Sequence, residues 1–152
     1  MTLRTTTREE ALNFIDSLIS AMDEFKTVER KRLEYSALER YANTQFPVVS
    51  IVGSLPDFIN KRETRTKNEI VEVITSKLTV EFYVYFQDNV TPDTSISTYA
   101  SLLFAKLYAN QSLGGVVQSS VLKFGRTPQY WEPYVAFNLT AEYSYFQLTG
   151  GI

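Results

Sequence analysis

The sequence predicts an α+β domain: a mostly antiparallel sheet of about four to five strands, with two helices packed on one face. Two segments, Leu78 to Gln87 and Val135 to Phe146, alternate apolar and polar residues with period two, the mark of half-buried strands. Two others, Ala11 to Met22 and Ile96 to Tyr108, repeat apolar residues every three to four positions, the mark of amphipathic helices. The 152 residues suit one domain, 44% hydrophobic and 21% charged. A chain of this size buries about 70% of its unfolded surface and needs no disulfide or metal to fold.

The opening helix starts at Thr7, an N-cap with Glu10 three residues on, where the pair can satisfy orphan backbone donors. Its apolar stripe is Ala11, Leu12, Ile15, Leu18, Ile19 and Met22. A short strand is expected within Phe25 to Glu29, and residues 30–45 yield only a helical turn or two at Ser36 to Tyr41. Pro47 then opens a buried strand, Val48 to Val52, at the position where proline costs no ladder donor. Residues 53–69 lack apolar periodicity and read as a long charged loop, of the kind that is usually functional or mobile.

The alternating strand follows, with Ile70 to Ile74 either extending it or forming a separate strand across a kink near Ser76. Pro92 and Asp93 lead into the second helix, about Thr94 to Asn110, whose expected inner face is Ile96, Tyr99, Ala100, Leu103, Leu107 and Tyr108. Gly114 and Gly115 stop it. A strand is expected at Val116 to Phe124, and in the last strand Val135, Phe137, Leu139, Ala141, Tyr143 and Tyr145 share one face. If the helix between strands acts as a crossover, one strand pair is parallel.

Composition narrows the chemistry. Cys and His are absent, so thiolate nucleophiles, imidazole bases and the common zinc and haem ligand sets are excluded. No phosphate-binding glycine motif and no Gly-x-Ser-x-Gly occurs. The expectation is a protein without catalytic residues, metal or cofactor. Asp88 and Asp93 flank a turn but lack the further acidic ligands of a calcium loop. Glu81 and Glu142 read as solvent-facing sheet residues or partners of a lysine. The net charge of −2 gives no reason to expect generic nucleic-acid or membrane binding. The first residues have no apolar signal-like core, so synthesis in the cytoplasm is the expectation.

Charge is nonetheless uneven. Residues 60–67 hold Lys61, Arg62, Arg65 and Lys67 against Glu63, a net +3, whereas 68–152 carry net −3. The basic stretch is either a solvated loop or a contact arm for an acidic partner or phosphates, and such segregation suits one protomer meeting the next. Tyr83 and Tyr85 lie opposite the core-like Phe82 and Phe86. They read as interface residues packing on a neighbouring subunit, as ordinary sheet surface, or as base-stacking residues, the last without the usual basic surround.

The order of these elements resembles the tail-terminator and tail-completion proteins of long-tailed bacteriophages over most of residues 8–146. The likeness is carried by the amphipathic opening helix, the strand after Pro47, the charged segment and the alternating strand Lys77 to Phe86. It continues in the acidic turn, the helix ending in Ser112-Leu113-Gly114-Gly115-Val116-Val117, and the final strand Phe137 to Tyr145. The resemblance implies a structural virion protein, made in the host cytoplasm, that caps the tail tube as a ring, usually of six subunits. Its implied partners are further copies of itself, the tail tube protein and a head-completion or neck protein, with DNA passing through the lumen and no membrane involved. A neighbouring neck component, such as a connector or stopper, is the alternative within this setting. A small-ligand-binding α+β enzyme or carrier is the alternative outside it.

Overall fold

A computed structural model describes residues 5–66, 69–124 and 128–148, the side chains of 59–73, 124 and 148 excepted. Two long antiparallel strands form its centre, β4 (Glu69–Gln87) and β7 (Tyr134–Leu148), in register from Gln87 opposite Tyr134 to Val73 opposite Leu148. The period-two pattern decides which face is buried. Leu78, Val80, Phe82, Val84 and Phe86 meet Val135, Phe137, Leu139, Ala141, Tyr143 and Tyr145 on the inner face, and all are buried. Full burial of such a side chain contributes about 1.5–3 kcal/mol.

Among the described residues the sheet is mixed and has seven strands. β1 (Thr27–Glu29) pairs with β2 (Val48–Gly53), and β2 with the second half of β4. β3 (Asp57–Thr66) occupies the same edge of β4 beside its first half. β5 (Ser119–Phe124) and β6 (Gln129–Trp131) share the outer edge of β7. The α+β class stands, with more strands than expected, and the parallel pair is β1–β2. The connection through α3 (Pro92–Ala109) instead joins β4 to β5, which run parallel but are separated by β7.

Helices α1 (Arg8–Ser20) and α3 cover the inner face. At the start of α1 the Glu10 N–H donates to the Thr7 hydroxyl at 3.2 Å, as the cap signal predicts. Ala11, Leu12, Ile15 and Ile19 are buried. The Arg8 guanidinium donates to the Gly53 and Ser54 carbonyls, each at 2.9 Å, tying α1 to the end of β2. Gly53 permits that approach, since a Cβ there would lie 2.9 Å from Leu12. In α3 the buried face is Ala100, Leu103 and Leu107. Tyr108, expected on it, is 62% exposed and stacks on Phe104 with centroids 6.0 Å apart. One residue beyond Leu107 is about 100° further round the helix, which turns Tyr108 outward.

The outer face of the sheet is not left bare at its β1–β2 end. Residues 30–46, with the short helix α2 (Tyr35–Leu38) and a 3₁₀ turn at Asn43–Gln45, bury Leu33, Leu38 and Phe46 against Val48, Tyr85, Tyr134 and Ala136. The expectation of two helices on one face is therefore corrected to two on one face and a third, short one on the other. A four-residue helix with Leu38 as its only buried residue leaves too little periodicity to read in advance.

The charged loop expected at 53–69 is corrected too. Ser54 to Pro56 are a short connection, and 57–66 form β3, with a register shift between Phe58 and Asn60. The reason lies in β4, which runs unbroken through Ser76 and so offers Ile70 to Ile74 as a ladder for the polar segment. Backbone donors and acceptors seek partners whatever the side chains are.

Candidate assembly surfaces

Among the described residues the β4–β7 pairing runs to Val73 opposite Leu148, and β4 continues to Glu69 with β3 as its partner. Among the described residues, 63–66 and 69–72 thus form a two-stranded ribbon reaching about 13 Å past Leu148, the last described residue of β7, at ~3.3 Å per residue. In the register Lys61 stands opposite Ile74, Arg62 opposite Val73 and Arg65 opposite Ile70. Lys67 lies outside the described residues. The second strand supplies Glu69 opposite Thr66 and Glu72 opposite Glu63, so residues 57–72 hold four basic and four acidic residues. The net +3 read from 60–67 belongs mainly to one strand of a balanced hairpin. That strand is an edge among the described residues, where Lys and Arg also discourage unwanted pairing.

The two tyrosines expected at an interface part company. Tyr85 is 1% exposed, and its hydroxyl accepts the Leu33 N–H at 3.0 Å inside the outer-face core. It cannot touch a neighbour while residues 30–46 are in place. Burial raises its pKa, opposed by that hydrogen bond. Tyr83 is half-buried, with its ring stacked on Tyr85 and the Arg32 guanidinium 5.0 Å from its centroid. Its hydroxyl donates to Glu81; burial first, then that hydrogen bond, push its pKa up to about 12. Of the pair, Tyr83 remains accessible.

The acidic residues have structural partners. Asp88 accepts the Val90 and Thr91 N–H groups, each at 2.9 Å, and the Ser95 hydroxyl, and so holds the turn into α3. The Ser95 bond, followed by the two N–H bonds, lowers its pKa. Asp93 accepts the Tyr130 hydroxyl at 2.6 Å. Glu142 sits between Lys77 at 3.0 Å and Lys123 at 3.1 Å, whose hydrogen bonds lower its pKa. Among the described residues no three acidic side chains come together as a metal site.

Two concave surfaces went unread in the sequence. A groove of about 570 Å³ runs along α1 toward α3, with Phe14, Leu18, Ala21 and Val116 as its apolar part and Glu10, Asn13, Ser17 and Lys106 as its polar part. Phe14 flanks the α1 stripe and Val116 follows the double glycine, so each reads as core from sequence alone. A second hollow, about 340 Å³, lies on the outer face among Arg32, Leu33, Glu34, Tyr35, Gln129 and Trp131.

No family model matches the chain, and no curated protein matches it. Among the described residues no helix is long and apolar enough to cross a membrane.

Proposed function

We propose that the protein is a structural component of a long-tailed bacteriophage, a tail terminator that closes into a ring on the tail tube, ends its growth and joins it to the neck. The resemblance in element order supports this reading, and one structural observation carries it: the β3–β4 ribbon, which among the described residues has no third strand beside it. A two-stranded ribbon is marginal by itself in water, so it gains order by packing on another surface. Its β4 strand carries the apolar pair Ile70-Val71 between Glu69 and Glu72, which a lone subunit has reason to cover. The acidic balance of the chain suits a conduit that must not retain DNA by counterion release.

The test is a triple substitution, Lys61→Ser with Arg62→Ser and Arg65→Ser, followed by melting and by tail-completion assays across a salt series. Charges on an edge strand contribute roughly 0–1 kcal/mol each to folding, so the thermal midpoint stays nearly unmoved. Assembly weakens, and wild-type assembly weakens as salt screens the contact. Normal assembly of the variant at every salt concentration would remove the basic edge of β3 from the interface.

A further inference from the structure

We infer that residues 30–46 form a strap that lifts from the outer face of the sheet as one unit while the body of the subunit stays folded. The inference goes beyond the ring reading and is independent of it, since it concerns a single subunit.

The strap has its own core. Leu33, Leu38 and Phe46 pack with Val48, Tyr85, Tyr134 and Ala136 in a cluster that shares no buried residue with the core under α1 and α3. The sheet lies between the two clusters, so losing the outer one leaves the inner one whole. Small satellite clusters of this kind form under long connections. Proteins open in such contiguous units, each with its own free energy. Arg32, Glu34, Ser36, Glu39 and Arg40 on the strap are exposed, so three side chains supply its full burial.

Backbone bonds along the strap are short-range. The Leu38 N–H donates to the Glu34 carbonyl at 3.3 Å, Tyr41 to Leu38 at 3.2 Å and Gln45 to Ala42 at 2.9 Å. Such bonds order the strap locally and do not fix it to the sheet. Its polar ties to the body are the Leu33 N–H on the Tyr85 hydroxyl at 3.0 Å and the Arg32 guanidinium over the Tyr83 ring. At its base the Tyr41 hydroxyl donates to Glu29 and the Thr27 hydroxyl to the Gln45 carbonyl, each at 2.8 Å. Both of these reach β1, a strand of three residues with β2 as its partner among the described residues. One seam is open as well. A hollow of about 340 Å³ lies between residues 32–35 of the strap and Gln129 and Trp131 of β6. Side chains lining a gap forfeit contacts on that side. The strap leaves from Glu29 and returns at Val48, on neighbouring strands, so lifting it requires no change in strand order. Val48, Tyr85, Tyr134 and Ala136, all buried in the closed subunit, are then uncovered together.

Amide hydrogen exchange across a denaturant series tests this on the intact chain. The Leu33, Leu38 and Tyr41 amides are expected to share one opening. That opening is at least a hundredfold more populated than the one exposing Val80 to Val84, which have a strand on either side. Strap exchange also quickens with denaturant, because lifting exposes surface, but less steeply than exchange in β4. Equal exchange in strap and β4 overturns the inference. So does strap exchange that ignores denaturant, the sign of independent fraying. Ile15→Val supplies the second readout, because Ile15 is buried in the inner core alone. It destabilises the closed and lifted forms alike, so the β4 amides exchange at least twofold faster and the strap amides at an unchanged rate. Acceleration of both by the same factor overturns the inference.

Discussion

Inside the outer-face core the Tyr85 phenol takes the buried Leu33 N–H, while Tyr83 two residues earlier keeps one side open. Removing the first hydroxyl strands a buried N–H, which costs about 1–3 kcal/mol. Tyr85→Phe therefore lowers the unfolding free energy by that amount in denaturant titration, and Tyr83→Phe changes it by less than about 1 kcal/mol. Tyr143 presents the converse case, because its hydroxyl is buried among the inner-face side chains without a hydrogen-bond partner among the described residues. Deleting an unsatisfied group is neutral or favourable, so Tyr143→Phe leaves stability unchanged or raises it by up to about 1 kcal/mol. A loss above 1 kcal/mol would show that the phenol does find a partner. Alkaline behaviour follows from the same burial. Tyr41, Tyr83 and Tyr145 have pKa values raised from 10.0 to about 12, with burial as the leading cause. The folded state holds these protons more tightly than the unfolded state. Their contribution is complete below pH 10.0 and is lost as pH rises toward about 12. Phenolate absorbance followed alongside circular dichroism checks this: ionisation of these groups near 10 in the folded protein contradicts it.

Elements with a self-contained signal were legible in advance. The Thr7 cap, Pro47 at the head of β2 and the alternation of β7 each depend on residues within a few positions of one another. Two elements carry no such signal. β3 is a polar strand whose existence depends on its partner across the turn, Ile70 to Ile74, so its own composition reads as loop. Residues 30–46 bury Leu33, Leu38 and Phe46 at spacings of five and eight, which fit neither helix nor strand. That gap is also why Tyr85 looked available for an interface. The Leu113-Gly114-Gly115 stop shows the opposite, a local signal with a local cause. Gly114 has φ 67°, and a Cβ there would lie 3.0 Å from the Phe14 ring. Left-handed backbone costs an ordinary residue about 1–2 kcal/mol, so Gly114→Ala should destabilise by at least that much, seen as a thermal midpoint lowered by about 2–8 °C. An unchanged midpoint would mean that the turn between α3 and β5 relaxes freely.

For the whole molecule, the layering of α1 and α3 on a central sheet was readable because each contributes an apolar face that must meet another. Strand order was not, since β2 and β3 share one edge of β4 and β5 and β6 one edge of β7, so that a pairing remote in sequence and a local hairpin lie along each edge. Among the described residues the surfaces left over are a ribbon without a third strand, a part-apolar groove along α1 and the exposed Phe104–Tyr108 stack. In the proposed ring, unlike patches join each subunit to the next until the ring closes. The most direct measurement is image averaging of tail tubes carrying this protein. The account predicts a ring of six subunits at the head-proximal end of the tube and nowhere along its length. A dimer or an open filament as the only assembled form, or no density at that end, would contradict it.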